Sequence, residues 1–307
     1  MESKIAVELV NITREFPGIK ANDNINISIK EGSIHALVGE NGAGKSTLMS
    51  ILFGIYKPTS GIIKIDGNPI IIKGPHQAND LGIGMVHQHF KLVDNYTNFE
   101  NIILGAEFQK YKLLDNKTSL IKIKLLQEKF GLKFDLNEKT VNASVVTQQK
   151  IEIIKMLYRD SKILIFDEPT AVLAPKEIDD FLKIIHFLKK HGKTILFISH
   201  KLWEVLEVSD EITVIRHGKV VKHFESTKNI TAIEIANAMV GENVVNFKNK
   251  NHTYSNDCIL KLENIVAGKY LQDLNLKIHA GEIMAIAGVE GNGQEDLEYI
   301  LSGIIQP

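Results

Sequence analysis

The sequence is poor in several features that would each point to a particular class of protein. It contains a single cysteine, Cys258, so no disulfide can form within the chain, which suits a reducing compartment. No stretch approaches the roughly 18 consecutive apolar residues of a membrane-spanning helix, so we expect any role at a membrane to come through a partner. The formal net charge of −1 gives no overall electrostatic case for binding nucleic acid.

Size and composition indicate a globular protein. The 307 residues are 44% hydrophobic, which is enough apolar surface to bury a substantial core. A chain of this length is typical of one full domain together with part of another.

The most specific motif is the glycine-rich run at residues 39–47, GENGAGKST, which fits the pattern G-x-x-x-x-G-K-[ST] without a mismatch. The apolar segment before it predicts a buried strand, and the residues after it have the apolar spacing of a helix. Gly42 and Gly44 permit backbone N–H groups to approach phosphate oxygens, and Lys45 can reach the β- and γ-phosphates. The motif therefore predicts a nucleoside triphosphate site, with a glycine-rich turn and a solvated lysine as the alternative.

Two later strands are predicted to end at the same place. Residues 162–166 (KILIF) are followed by Asp167 and Glu168, and residues 194–199 (TILFIS) are followed by His200, with an amphipathic helical pattern between the two strands. Strand, helix and strand in this order favour a parallel sheet with crossover connections. Ligands of such sheets bind at the carboxyl edge, so we expect these polar residues to lie near one ligand.

Each of these side chains has a possible role in cleaving a triphosphate. Asp167 can hold Mg²⁺ through a water or through the Ser46 hydroxyl, and Glu168 can polarise the attacking water. His200 can donate a hydrogen bond that steadies the charge on the γ-phosphate. An ordinary solvated strand end is the alternative for each, and the phosphate loop upstream favours the catalytic interpretation.

Two further residues have less specific patterns. Gln88 lies between the apolar segment GIGMV and a helical insert, where its amide can touch Mg²⁺ or the attacking water and report the nucleotide state to the insert. Phe16 precedes Pro17 and Gly18 and can stack on an adenine ring. A hydrophobic residue that closes a strand is an equally good interpretation of Phe16.

The opening pattern of the chain recurs near its end. Residues 259–265 (ILKLENI) echo residues 7–12 (VELVNI), and GVEGNGQED, which begins at Gly288, falls where GENGAGKST is expected. This internal repeat has a period of about 250 residues and is cut off at Pro307, so we expect the second copy to be incomplete. The sequence thus divides into a first domain at 1–242 with a helical subdomain at about 90–160, a linker at 243–258, and a partial second copy at 259–307.

These residues, in this order and spacing, resemble the ATP-binding subunits of ABC transporters over essentially the whole chain. In that resemblance, the matched motifs are Phe16 as the adenine-stacking aromatic, residues 39–47 as Walker A, Gln88 as the Q-loop, residues 144–149 as the signature motif, residues 163–168 as Walker B and His200 as the switch histidine. The implied fold is an α/β P-loop NTPase with an antiparallel β subdomain and an inserted helical subdomain, followed by an incomplete second cassette.

The resemblance also assigns roles to individual residues. The residues implied to take part in catalysis are Glu168, His200 and Gln88. Those implied to bind Mg²⁺ are Ser46, Gln88 and Asp167. The residues implied to bind the nucleotide are Phe16, Gly39, Glu40, Asn41, Gly42, Ala43, Gly44, Lys45, Ser46, Thr47 and Ser144.

Departures from the family pattern bear on activity. Val146 stands where the signature has a glycine, and its branched side chain is expected to obstruct the approach of backbone N–H groups to the γ-phosphate on the opposing cassette. In the second copy, Gln294 and Glu295 stand where Lys and Ser or Thr belong, so that loop is expected to bind nucleotide poorly. Each ATP in the cassette dimer lies between one Walker A and the opposing signature, so both changes fall in one composite site. We expect one weak site and one competent site.

The function implied by the resemblance is an ATPase, with ATP and Mg²⁺ as cofactors, that energises import of a nucleoside or simple sugar. The stretch MVHQHF around Gln88 is more similar to the nucleoside branch, which pairs with Bmp-type lipoproteins. The implied location is peripheral, at the cytoplasmic face of the cell membrane. The implied partners are permease subunits, a substrate-binding lipoprotein acting indirectly, and a second cassette from a missing C-terminal half or another copy, without nucleic acid. The chain alone is expected to hydrolyse ATP slowly, because it lacks the trans signature.

Two other functions stay open. The first is a soluble tandem-cassette ATPase that acts on ribosomes or DNA, although such proteins usually have a long, charged, helical linker and residues 241–257 are short and nearly neutral. The second is a truncated, non-functional remnant whose second copy cannot complete a core.

Overall fold

The structure is a computed structural model that describes residues 4–88, 90–111, 113–241, 254–268, 270–288 and 291–306. The chain divides into two compact units, Met1–Val244 and Val245–Pro307. Most of the predicted linker at 243–258 lies outside the described residues. Among the helices that are described, none is long and apolar enough to cross a membrane.

The described part of the first unit combines strands and helices along its whole length. Its strands are β1 (Ile5–Phe16), β2 (Ile19–Lys30), β3 (Ile34–Val38), β4 (Ser60–Ile65), β5 (Asn68–Ile70), β6 (Ile83–Val86), β7 (Gln109–Lys110), β8 (Leu113–Leu114), β9 (Ile163–Asp167), β10 (Thr194–Ile198), β11 (Glu211–Arg216) and β12 (Lys219–Phe224). Its α-helices are α1 (Lys45–Leu52), α2 (Pro75–Asp80), α3 (Asn98–Ile103), α4 (Asn116–Phe130), α5 (Val145–Tyr158), α6 (Pro175–Lys190), α7 (Leu202–Val208) and α8 (Ala232–Val240).

A six-stranded sheet organises the first unit, with the strand order β12-β11-β3-β10-β9-β6. Five of these strands run parallel, and β12 pairs antiparallel with β11 at one edge. As the sequence predicts, β9 and β10 are parallel neighbours that α6 connects. The carboxyl ends of β3, β6, β9, β10 and β11 therefore meet at one edge of the sheet.

Both faces of this sheet are covered by apolar residues. Successive side chains of a strand point to opposite faces, and the two cores divide accordingly: Leu164 and Phe166 of β9 belong to one core, while Ile163 and Ile165 belong to the other. The first core continues into the helices α5 and α6. The second continues into α1 and the strands β1, β2 and β4. Strands buried on both sides require the near-continuous apolar sequences from which they were predicted.

The predicted antiparallel subdomain is a four-stranded sheet with the order β2-β1-β4-β5. The predicted helical subdomain contains α3, α4 and α5, and α4 ends at Gly131 in a left-handed cap, as the sequence indicates. This subdomain also contains a short hairpin, β7–β8, that the helical pattern does not predict. Its strands have two residues each, which is too short to give a recognisable periodicity.

The second unit repeats the local geometry of the start of the first. Its described elements are the strands β13 (Cys258–Ala267) and β14 (Leu271–His279), which pair antiparallel, and the helix α9 (Gln294–Leu301). In β1–β2 the N–H of Asn11 donates to Oδ1 of Asn26 at 2.9 Å, and in β13–β14 the N–H of Asn264 donates to Oδ1 of Asn275 at 3.0 Å. Asn11 and Asn264 both have left-handed φ, at 54° and 53°.

The repeat differs from the first unit after this hairpin. Residues 283–287 (IMAIA) correspond in sequence to β3, yet they form no strand within the described part of the second unit. Ile283 is 93% exposed, whereas Ile34 of β3 is fully buried. In the first unit β3 is held between two parallel neighbours, β10 and β11, and 254–268, 270–288 and 291–306 contain no equivalent of either. An apolar segment needs such neighbours to become a central strand.

His35 is a buried histidine of β3 whose ring packs against His223 of the edge strand β12. His35 of β3 is 1% exposed, and its Nε2 lies 2.8 Å from Oγ1 of Thr213. The ring stacks on His223 at 5.7 Å between centroids. Burial lowers the pKa of His35 to about 3, and the charges of His223 and Lys30 act in the same direction. Glu211 lies 3.8 Å from Nδ1 of His35, but this carboxylate is already paired with Lys30.

We expect His35 to make the folded protein less stable in acid. The unfolded histidine takes up a proton near pH 6.5 and the folded one only near pH 3, so stability is lost as the pH falls from 6.5. At pH 5 the loss amounts to about 2 kcal/mol. Urea unfolding at pH 7 and pH 5 should give a smaller difference for His35→Gln than for the wild type. Equal pH dependence in the two proteins would contradict this assignment.

Candidate functional site

A cavity of about 670 Å³ opens at the carboxyl edge of the central sheet. The residues that line it come from β1, β2, the start of α1 and the loop before it, and the segments that follow β6, β9 and β11. They are Phe16, Ile19, Lys20, Ala21, Asn41, Gly42, Gly44, Lys45, Ser46, Thr47, Gln88, Glu168, His217 and Gly218. The parallel strand directions bring these distant parts of the sequence together.

The glycine-rich loop has the backbone that its sequence predicts. Gly42 and Gly44 have φ of 81° and 102°, a region that residues with a side chain rarely adopt. Gly44 is the N-cap of α1, and a Cβ at this position would lie 2.2 Å from the carbonyl oxygen of Ala21. The loop therefore passes too close to β2 for any side chain, and the N-terminus of α1 faces the cavity with its N–H groups.

Lys45 lies across the inside of this loop. Its Nζ donates to the carbonyl oxygens of Gly39 and Glu40, at 2.8 and 2.9 Å. The side chain is 5% exposed, and burial lowers the pKa of Lys45 while the charges of Glu168 and Asp167 oppose that shift. A buried ammonium with two backbone partners retains one N–H for an anionic ligand. Gly39 and Glu40 thus act by holding Lys45, and neither lines the cavity.

Two oxygen donors lie side by side at the start of α1. The hydroxyl of Ser46 donates to Oδ1 of Asp167 at 3.3 Å, and Asp167 is buried. Burial raises the pKa of Asp167, and the Ser46 hydroxyl works against this increase. Hydroxyl and carboxylate oxygens are ligands that Mg²⁺ prefers. Gln88 lines the same cavity and adds an amide oxygen, so the donor set fits a cation that takes its other ligands from phosphates and water.

Glu168 follows β9 with an unusual backbone. Its φ is 47°, a left-handed conformation that is uncommon for a residue with a side chain and is often found at functional sites. Nδ1 of His200 lies 3.2 Å from Oε1 of Glu168, and His200 itself is exposed. Glu168 lines the cavity, whereas His200 does not and contacts the Glu168 carboxylate.

A buried network that the sequence analysis missed supports this pair. Glu204 of α7 is fully buried and accepts hydrogen bonds from the hydroxyls of Thr170, at 2.8 and 2.7 Å, and Ser199, at 3.1 Å. Thr170 follows Glu168 by two residues, and Ser199 precedes His200. The network therefore ties together the two loops that carry the predicted catalytic residues. A glutamate within a short helix gives no sequence signal for such a role.

The signature-like segment lies away from the cavity. Ser144 is the N-cap of α5, where its hydroxyl accepts from the N–H of Thr147 at 3.2 Å, and it does not line the cavity. Val146 is half-buried against the apolar core. The segment is connected to the cavity wall through one hydrogen bond. Nε2 of Gln149 donates to the carbonyl of Pro169 at 2.8 Å, and Pro169 follows Glu168, which lines the cavity.

Phe16 lies at the other end of the cavity, where a base is expected to stack. The guanidinium carbon of Arg14 is 4.5 Å from the centroid of the Phe16 ring, and Tyr56 meets the ring edge-on at 5.3 Å. Arg14 and Tyr56 do not line the cavity, whereas Phe16 does. Arg14 therefore holds the ring from outside, and its Nη1 is fixed by the carbonyl of Lys57 at 2.9 Å.

The structure also brings residues to the cavity that the sequence analysis did not consider. Ile19, Lys20 and Ala21 come from the start of β2, and His217 and Gly218 form the tight turn between β11 and β12. His217 has a φ of 49°, which this kind of turn requires. The sequence contains a signal for this turn. Residues 211–216 form an apolar strand, and its carboxyl end lies at the same sheet edge as those of β9 and β10, so the residues that follow it reach the cavity.

Comparisons with known proteins agree with this geometry. Residues 22–171 match the family model described as ABC transporter. The chain is 46% identical over 303 residues to the guanosine import ATP-binding protein NupO of Bacillus subtilis, which covers 97% of this chain and 59% of that protein. It is 43% identical to the nucleoside import ATP-binding protein NupA of Lactococcus lactis, over 99% of this chain and 61% of that protein. The chain thus spans less than two thirds of the length of these relatives.

The fold was also compared with solved structures. An ATP-binding cassette of an ABC transporter in its ADP conformation superposes with a TM-score of 0.67 and 26% sequence identity. The match covers 78% of this chain and 99% of that cassette. The fold described above is therefore that of an ATP-binding cassette.

Replacing Gly44 with alanine should disrupt the loop much more than the same change at Gly42. Both positions have left-handed φ, which costs about 1–2 kcal/mol for alanine. Only at Gly44 does the new Cβ also meet the backbone of Ala21, which adds about 1–3 kcal/mol. Urea unfolding and calorimetric titration with ATP should show a stability loss for both variants and a loss of binding for Gly44→Ala. Equal effects of the two changes would contradict the close approach to β2.

Proposed function

We propose that this chain is an ATP-binding protein of the ABC transporter family that binds and hydrolyses Mg-ATP to drive an importer for nucleosides or simple sugars. The observation that carries the proposal is the cavity at the carboxyl edge of the central sheet. The loop before α1, Ser46 and Glu168 line it, and Asp167 and His200 contact Ser46 and Glu168 from behind. A soluble cassette protein of ribosomes or DNA would contain the same cavity, but the similarity to nucleoside import proteins over 97–99% of the chain favours import.

In this proposal each end of the cavity binds one part of ATP. The phosphates bind at the N-terminus of α1, where Lys45 and the backbone N–H groups of the loop face them. The base stacks on the face of Phe16 that Arg14 leaves open. Lys20 and His217 line the wall and add cationic or hydrogen-bonding groups along the ligand.

The hydrolytic step is assigned to the residues that follow β9 and β10. Ser46, Asp167 and Gln88 would hold Mg²⁺, which neutralises charge on the phosphates. Glu168 orients and polarises the attacking water, and its left-handed backbone directs the carboxylate into the cavity. His200 positions that carboxylate and donates to the γ-phosphate when the nucleotide is bound.

We also propose that the second unit is the first part of a second, degenerate cassette. The repeated hairpin hydrogen bonds and the left-handed Gly293 before α9, like Gly44 before α1, support this origin. Gln294 takes the place of Lys45, and a Cβ on Gly288 would lie 2.0 Å from its Nε2. An amide stands where the first unit has an ammonium and supplies no positive charge, so this loop binds nucleotide poorly. Active turnover in this proposal needs a signature from another cassette.

A groove of about 260 Å³ beside Gln88 is the proposed contact with the permease. It lies between the sheet and the helical subdomain, and Phe53, His87, Leu104 and Arg159 line it. Nη2 of Arg159 donates to the carbonyl of Leu104, whereas its buried Nε has no partner among the described residues. A backbone carbonyl at the end of a permease helix would satisfy this N–H. Movement of Gln88 with the nucleotide would then reach the permease through the adjacent His87.

Loss of the Lys45 ammonium is expected to weaken ATP binding strongly. Charge-assisted hydrogen bonds to phosphate are worth about 1.5–3 kcal/mol, so Lys45→Ala should bind Mg-ATP roughly 10- to 150-fold more weakly than the wild type. Isothermal titration calorimetry of the purified chain measures this directly. Lys73→Ala removes an exposed lysine and serves as the control. Absence of ATP binding in the wild type would contradict the proposal and favour a non-functional remnant.

Glu168→Gln should separate binding from hydrolysis. The amide keeps the size and the hydrogen bond to His200 but cannot act as a base, so hydrolysis should slow by roughly 10²- to 10⁴-fold with little change in affinity. Phosphate release with the protein in excess over ATP gives the rate even when turnover is slow. Glu207→Gln, at an exposed position, is the control. Unchanged hydrolysis in Glu168→Gln would remove Glu168 from the mechanism.

A further inference from the structure

The hairpin β7–β8 exposes a cluster of large apolar side chains. Tyr111 is 89% exposed, Leu113 is 73% exposed and Leu114 is 63% exposed. Leu113 and Leu114 are consecutive in β8, so their side chains point to opposite faces of the hairpin. Since both are exposed, neither face of the hairpin is covered by the residues that the structure describes. The tip therefore projects from the helical subdomain.

The base of the hairpin is held firmly, so the projection is a defined feature. The N–H of Asp115 donates to the carbonyl of Phe108 at 2.8 Å and closes the base. The ring of Phe108 packs edge-on against Tyr158 of α5 at 5.7 Å. The ammonium of Lys122 lies over both rings, at 5.6 and 5.1 Å from their centroids.

The segment around the hairpin is basic, in contrast to the whole chain. Residues 106–130 contain six lysines and three acidic residues, a net charge of +3 in a chain whose net charge is −1, and one of these lysines, Lys122, is paired with Asp160 outside the segment at 2.7 Å. Asp115 is occupied in capping α4, where it accepts from the N–H and the hydroxyl of Thr118. Lys110 is part of β7 and flanks Tyr111. Lys112 follows Tyr111 in the sequence and lies outside the described residues.

We propose that the hairpin β7–β8 is a membrane-contact element, in which Tyr111, Leu113 and Leu114 enter the headgroup region of an anionic lipid surface and Lys110 binds lipid phosphates. Aromatic and leucine side chains next to lysines are the combination that favours the bilayer interface. The inference rests on the proposed function, which assigns the chain to a membrane permease. Leu104, which lines the groove proposed to contact the permease, precedes β7 by five residues, so the hairpin and that contact belong to the same subdomain.

Co-sedimentation of the full chain with lipid vesicles tests the proposal. We expect binding to vesicles of phosphatidylcholine mixed with phosphatidylglycerol, and much weaker binding to phosphatidylcholine alone. The combined variant Tyr111→Ser, Leu113→Ser, Leu114→Ser should bind the anionic vesicles at least about tenfold more weakly. Lys110→Gln should weaken binding by roughly fivefold, and added salt should reduce the difference.

A matched control separates the hairpin from other exposed apolar residues. Ile62→Ser with Ile71→Ser removes two side chains that are 51% and 78% exposed in the antiparallel subdomain. This control should bind anionic vesicles as the wild type does. Any binding through the second unit is common to all the variants, so it does not affect the comparison.

A fluorescence measurement reports on insertion itself. Trp203 is the only tryptophan in the sequence, so Tyr111→Trp in a Trp203→Phe background places the only indole at the hairpin tip. Its emission should shift to shorter wavelength with anionic vesicles and be quenched by brominated lipids. No shift together with no difference between the hairpin variant and the matched control would overturn the proposal. So would a hairpin variant that binds vesicles normally but loses binding to the purified permease, because the hairpin would then contact protein.

Calorimetric titration with ATP on the same variants keeps this inference apart from the proposed function. The hairpin is not part of the nucleotide cavity, so its variants should bind ATP as the wild type does. Vesicle binding without ATP binding would contradict the proposed ATPase and leave the membrane contact standing. ATP binding without vesicle binding would contradict the membrane contact and leave the proposed ATPase standing.

Discussion

The parallel pairing of β3, β6, β9, β10 and β11 is the constraint on which the rest of the protein depends. In a parallel sheet all carboxyl ends lie at one edge, so loops that are far apart in sequence meet there. The phosphate loop follows β3, Gln88 follows β6, Glu168 follows β9 and His200 follows β10. The pairing is possible because each of these strands presents apolar side chains to both faces, and each face is covered by its own core.

Within that frame, the cavity is shaped by close backbone approaches and by buried charge. Gly44 allows the loop to lie against β2, and the buried Lys45 is held by two carbonyl oxygens of the same loop. The ammonium is costly to bury without an anion, which is consistent with a site prepared for phosphates. Glu204 has a comparable role behind the proposed catalytic residues, because its carboxylate joins the loops that contain Glu168 and His200. The candidate site residues therefore depend on neighbours that do not line the cavity.

The second unit shows which structural elements form without the central parallel sheet. Its hairpin forms the same asparagine hydrogen bonds as β1–β2, since these interactions need only residues that are close in the chain. The apolar segment at 283–287 stays exposed and is not a strand, since its sequence relative β3 depends on neighbours that come from far along the first unit. The same pattern of residues thus gives a hairpin in both units and a central strand in only one.

By itself, the sequence determined the parts of this protein that depend on local chemistry. The glycine spacing of residues 39–47, the apolar strands at 162–166 and 194–199, and the cap at Gly131 were all predictable, because backbone sterics and apolar periodicity act over a few residues. Only the tertiary structure decided that His217 and Lys20 line the cavity, that Arg14 supports Phe16, and that the hairpin β7–β8 projects from the helical subdomain. Those features depend on which distant segments pack together and on which surfaces remain uncovered, and no pattern within a short stretch of residues encodes that outcome.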